Sequence, residues 1–194
     1  MTAHARLSPE LQLTIEEFLA FMESRPDGER WELIEGAAVM NPSPTNIHQI
    51  LVVNIATWLA NEKQRSGASW VPILGIGTRV PISANSLPQP DLMVKAELGD
   101  ESAVSDEALV LFEVLSKSNT KADQAWRRKV YASVPNCEHY VTVSTKAAEM
   151  VVYDRATGWK PRTIVGLAAS CELSAIGVSI PLADAYRWTP LAAR

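Results

Sequence analysis

The chain has 194 residues, 47% of them hydrophobic and 21% charged, which is the balance of a globular domain with a sizeable core rather than of a disordered chain. Its formal net charge of −4 argues against a protein that coats bulk nucleic acid, and no apolar stretch is long enough to cross a bilayer. Met1 to Arg6 lead into no apolar signal core, and Cys137 and Cys171 are the only cysteines, at no metal or redox spacing, so a reducing cytoplasm is the expected compartment.

Thr14-Ile15-Glu16-Glu17 is a capping-box pattern, in which hydroxyl and carboxylate each answer a free N–H at a helix start. Phe18, Leu19, Phe21 and Met22 supply that helix with an apolar face. Arg30 to Ile34 and Ala38 to Met40 read as two strands joined at Glu35-Gly36. Pro42 and Pro44 punctuate the chain. A helix is predicted over residues 46–63, with Ile47, Ile50, Leu51, Ile55, Trp58 and Leu59 recurring at helical spacing. Residues 69–74 and 78–82 read as strands around Gly75-Ile76-Gly77. Asn85-Ser86-Leu87-Pro88 is a turn into a short strand that begins at Asp91. Residues 99–107 are an acidic loop, and 109–115 an apolar strand. A second helix starts near Thr120, carries Trp126, Val130 and Val134 as its stripe, and ends at Pro135. Residues 139–143 and 150–153 form a predicted hairpin, 159–165 a further strand, and 177–182 a last one before a short terminal helix. No repeat or linker divides the chain, so one mixed domain over 1–194 is expected.

Glu113 interrupts the run Val110-Leu111-Phe112-Glu113-Val114-Leu115. An ionised carboxylate inside a buried strand is costly unless a cation or hydrogen-bond donors compensate it. Asp91 opens another apolar strand. Two acids at the ends of neighbouring strands make a cradle for a hard divalent cation, and a water on such an ion becomes a nucleophile. Metal-dependent hydrolysis of phosphodiesters is the first expectation. Arg127, Arg128 and Lys129 read either as a solvated helix face or, with Lys121, as a surface for phosphates. Glu32 is either a third acid at the metal or an edge-strand residue facing water. His48 is either a substrate contact or proton-transfer aid, or a plain surface or packing histidine near a helix start. Tyr131 is expected to pack beneath the site. The bland alternative is a domain whose acids only make ion pairs.

Several pieces recur in a meaningful order: Trp31-Glu32-Leu33-Ile34-Glu35-Gly36, Ser43-Pro44 with His48-Gln49, Pro90-Asp91-Leu92, Glu113-Val114-Leu115-Ser116, Asp123 through Tyr131, and Ile180-Pro181-Leu182-Ala183-Asp184. The set resembles the PD-(D/E)XK nuclease superfamily and, more narrowly, the Uma-type family of restriction endonuclease-like proteins. The resemblance implies an α/β (mixed α+β) fold, a restriction endonuclease-like core whose mixed central sheet is flanked by helices. It implies that Asp91 and Glu113 hold magnesium or manganese. In the superfamily a lysine stands two places after the second acid; Leu115 stands there in this chain. The Uma-type variant carries that lysine on the next helix, one turn before a tyrosine, and the matching residues are Arg127 and Tyr131. Arginine stays protonated and is a planar donor where lysine is a point charge. Lys129, on roughly the other side of the helix, and Lys117, where the family has proline, are the substitutes. The implied catalytic set is thus Asp91, Glu113 and Arg127, with Lys129 in reserve and Glu32, His48, Lys121 and Arg128 accessory. The implied function is a divalent-metal-dependent DNA endonuclease, slowed by Arg127. The alternative is a catalytically inactive module that binds nucleic acid or a protein partner. Double-stranded DNA held with modest affinity is the expected partner, homodimerisation is an option, and no membrane is involved.

Overall fold

The computed structural model describes residues 12–26, 28–98, 104–116 and 119–192. Helix α1 (Ile15–Glu23) opens with both arms of the capping box: Glu17 N–H donates to Thr14 Oγ1 at 3.2 Å and Thr14 N–H to Glu17 Oε2 at 2.8 Å. Strands β1 (Arg30–Ile34) and β2 (Ala37–Asn41) form an antiparallel hairpin whose turn places Glu35 and Gly36 at φ of 49° and 81°. Helix α2 (Asn46–Ser66) is capped by the Thr45 hydroxyl and stopped by Gly67, whose φ of 68° ends the helix in the left-handed region.

The middle of the chain builds the sheet. In order come β3 (Val71–Leu74), β4 (Gly77–Thr78), β5 (Leu92–Lys95), β6 (Val104–Ser105), β7 (Val110–Leu115), α3 (Lys121–Tyr131), β8 (His139–Ser144), β9 (Glu149–Asp154), β10 (Lys160–Val165), β11 (Ser170–Leu173), β12 (Val178–Pro181) and α4 (Leu182–Ala185). Six strands lie in the order β10-β9-β8-β7-β5-β3. Only the β7–β8 pair in this sheet is parallel. A parallel pair needs a crossover connection, and α3 supplies it. The mixed central sheet with helices is the architecture expected from the sequence.

Strand periodicity sorts β7 between two cores. Val110, Phe112 and Val114 pack with Leu51, Ile55 and Leu59 of α2. Leu111 packs on the other face with Met93, Val130, Tyr131 and Tyr140. Glu113 shares the face of Leu111, because side chains two apart point the same way. The acid is therefore aimed at α3. A third cluster of Ile15, Phe18, Leu33, Ala38 and Leu87 seats α1 and the first hairpin.

Four details differ from expectation. The strand predicted over 78–82 stops at Thr78, because Val80 turns into the core beneath α3 and Pro81 offers no N–H to a ladder. The acidic loop contains β6, which pairs in parallel with β4; residues 99–103 lie outside the described part. Strand β11, paired antiparallel with β12, was not anticipated. On α3 the buried face is Arg127, Val130 and Tyr131, with Trp126 half-buried. No helix among the described residues is long and apolar enough to cross a membrane.

Candidate active site

The ends of several elements meet at one edge of the sheet. Strands β7 and β8 run in parallel to Leu115 and Ser144, and antiparallel β5 begins beside them. Leu92 pairs with Phe112, and Asp91 N–H donates to Phe112 O at 3.1 Å, so Asp91 falls opposite Glu113 one step further on. A cleft of about 370 Å³ opens there, lined among others by Arg30, Glu32, His48, Asp91, Glu113 and Arg127.

Asp91 is held from two sides. Its Oδ2 accepts Val114 N–H at 2.9 Å, and its Oδ1 lies 3.1 Å from His48 Nε2 and 3.4 Å from Arg30 Nη2. Burial alone would raise its carboxyl; the His48 contact and the Val114 bond outweigh that and hold it below its usual range. The other ring nitrogen, His48 Nδ1, is buried without a hydrogen-bond partner. His48 is thus buried against Asp91 at the cleft and not the surface histidine that its helix position allows.

Arg127 organises the opposite wall. Its guanidinium meets Glu32 with Nη1 to Oε1 at 3.0 Å and Nη2 to Oε2 at 2.6 Å, the two-pronged match of fork to carboxylate. Nη1 also donates to Glu113 Oε1 at 2.8 Å and reaches Tyr131 Oη at 3.3 Å, while Nε reaches Asp123 Oδ1 at 3.3 Å. An arginine has five N–H donors, so at most one, on Nη2, remains for a phosphate. Glu32 is only 1% exposed and also accepts Gln89 N–H at 2.6 Å and Asn41 Nδ2 at 3.0 Å. Burial opposes its ionisation, yet Arg127 and these bonds hold its carboxyl below the usual range. The reading of Glu32 as an acid facing water is therefore corrected: β1 is covered by α3 at this point.

Glu113 is the unbalanced member. Tyr131 Oη donates to its Oε1 at 2.8 Å, beside the Arg127 bond. Burial pushes its carboxyl up to about 8; Arg127 pulls the other way, but Asp91 and Glu32 add to the rise. One guanidinium faces more acid than it can neutralise, and the excess proton settles on Glu113. Both hydrogen bonds fall on Oε1, leaving Oε2 free of any bond among the described residues.

The remaining expected residues are placed elsewhere. Lys121, Arg128 and Lys129 are exposed and do not line the cleft; the Arg128 guanidinium lies 5.3 Å from the centre of the Tyr153 ring. Lys117 lies outside the described residues. Sequence reading missed Arg30, Asn41, Gln89, Asn119 and Lys146, all of which line the cleft. Asn119 links β7 to α3, accepting Ser116 N–H at 2.7 Å and donating to Asp123 Oδ2 at 3.0 Å. Their only signal was polarity next to a motif residue, which loops share generally.

Among the described residues no group of three or more His, Cys, Asp or Glu side chains is arranged to hold a metal. Magnesium binds through one or two carboxylates and keeps several waters, so the pair Asp91 and Glu113 suffices for that ion. Both oxygens of Glu32 are engaged by Arg127. The donor set is oxygen, as a hard cation requires, and Glu113 Oε2 is unclaimed.

A model of the Uma2 family, described as "Putative restriction endonuclease", matches residues 15–183, a span that includes Glu32, His48, Asp91, Glu113 and Arg127. The chain belongs to the Uma2 family. The fold is shared with a protein from Anabaena variabilis whose crystal structure is described as that of "a putative nuclease belonging to DUF820". The likeness covers 91% of this chain and 98% of that one, with a TM-score of 0.68 at 16% identity. No protein of curated function matches the chain in sequence.

Proposed function

We propose that the cleft hydrolyses phosphodiester bonds of double-stranded DNA with a magnesium or manganese ion held by Asp91 and Glu113. The observation that carries this reading is the meeting of two carboxylates, Asp91 just before β5 and Glu113 on the paired β7, in a cleft that Arg30, Arg127 and Lys146 also line. The descriptions of the Uma2 family and of its structural neighbour support it. Bound there, such an ion would supply charge for the phosphate and a more acidic water. The chain's own residues do the positioning. His48 and Val114 N–H aim Asp91, and Tyr131 and Arg127 fix Oε1 of Glu113. Without an ion, burial holds the Glu113 carboxyl up at about 8, so a cation bound there would displace its proton. Arg127 acts as the clamp of the carboxylates, not as a bidentate phosphate ligand, because its fork is engaged by Glu32.

That engagement favours a second reading: a catalytically silent module that binds nucleic acid or a protein partner. A supercoiled-plasmid assay with manganese separates the two. Wild type should nick slowly and Glu113→Gln not at all. Calorimetry should show metal binding that the Asp91→Ala, Glu113→Ala double variant loses. Metal binding without nicking selects the silent module. Equal nicking by wild type and Glu113→Gln removes the site from consideration.

A further inference from the structure

We propose that Arg30 and Lys146, one on each side of Glu113, are the cations that grip the phosphates of the DNA strand entering the cleft. The inference rests on the nuclease reading and names its substrate contacts. A strand drawn toward two carboxylates needs positive charge facing it, since phosphate neutralisation dominates affinity for nucleic acid. Three basic side chains line the cleft besides His48: Arg30, Arg127 and Lys146. Arg127 is buried and committed to Glu32, Glu113 and Asp123. The other two are less engaged. The side chain of Arg30 is 33% exposed, and its guanidinium makes one long contact, 3.4 Å to Asp91. Lys146 is exposed, and its ammonium makes no ion pair among the described residues.

Topology sets the two apart in a useful way. Arg30 stands beside Asp91, at the start of β5. Lys146 sits in the connection between β8 and β9. In the sheet order β9-β8-β7-β5 the strand of Glu113 lies between them. Strands are about 4.8 Å apart, so two to three spacings separate the cations by roughly 12 Å. One strand advances 3.4 Å per charge along its axis. The pair therefore reaches different phosphates, with those between them over the carboxylates. Past Arg30 the cleft continues into a second hollow of about 300 Å³, bordered by Arg30, His48, Gln89 and Asp91 in common with the first and by Trp31 and Leu74 beyond. A polymeric ligand has room to run on in that direction. The basic face of α3, by contrast, looks away from the cleft.

The test is fluorescence anisotropy of a labelled duplex, in EDTA and again with calcium, across a series of salt concentrations. Arg30→Gln and Lys146→Gln should each weaken binding about tenfold and make the plot of log affinity against log salt shallower by roughly one unit, the loss of one phosphate contact. Arg30→Lys, which keeps the charge, should restore both values and so excludes misfolding as the cause. The triple Lys121→Gln, Arg128→Gln, Lys129→Gln variant should stay within twofold of wild type. Unchanged affinity and slope in the Arg30→Gln, Lys146→Gln double variant, or loss in the α3 triple variant, overturns the inference and leaves the nuclease reading standing. A wild type that binds no duplex under either condition overturns both.

Discussion

At the scale of single residues, the site is a problem in sharing one cation among several acids. Burial raises the Glu113 carboxyl from its ordinary 4.5 to about 8, and Arg127, which also pairs with Glu32, offsets only part of that rise. The consequence for stability has a definite sign. A folded-state value above the unfolded one gives stability that is fully present below about 4.5 and is lost as pH rises through about 8. Glu113→Gln stays neutral and has no such loss. Thermal melts of the two proteins should therefore differ least near pH 5, and the variant should gain on wild type as pH approaches 8.5. A gap that stays constant over that range would show that Glu113 is already ionised in the fold. Asp91 and Glu113 were legible in the sequence because an acid in an apolar strand is expensive and demands a partner. Glu32 was not, since its burial depends on an arginine 95 positions away. His48 was ambiguous for the same reason: its partner Asp91 lies 43 positions along the chain.

At the scale of elements, local chemistry did most of the work. The capping box of α1, the positive-φ turn between β1 and β2 and the apolar run of β7 are all written in adjacent residues, and each is found where the pattern puts it. The misses are elements too short for a pattern. Strand β11 alternates exposed and buried over four residues, and β6 spans two. Helix α3 shows how a local signal serves the site. The Thr120 hydroxyl accepts Asp123 N–H at 3.0 Å, and Asp123 in turn meets Arg127 and Asn119. Loss of such a cap costs about 1 kcal/mol. Thr120→Ala should lower the urea midpoint by a corresponding amount while Thr120→Ser holds it. If both variants match wild type, the helix start is fixed by tertiary packing and not by its cap.

At the scale of the whole molecule, the sheet brings together residues that the chain keeps far apart. Glu32 on the first hairpin and Arg127 on α3 lie 95 positions apart in the chain and meet in the folded structure. Closing long loops costs entropy before any contact compensates it, so such contacts form late on the way to the native state. Interactions absent from the folding transition state act on the unfolding rate alone. Glu32→Gln with Arg127→Met, which removes both buried charges together, should leave the refolding arm of a chevron plot within about twofold while unfolding speeds roughly tenfold or more. Slowed refolding would place this clamp in the folding nucleus instead. The Glu32–Arg127 clamp joins segments 95 positions apart, so this wall of the cleft exists only in the folded whole, and no fragment lacking either the first hairpin or α3 carries it.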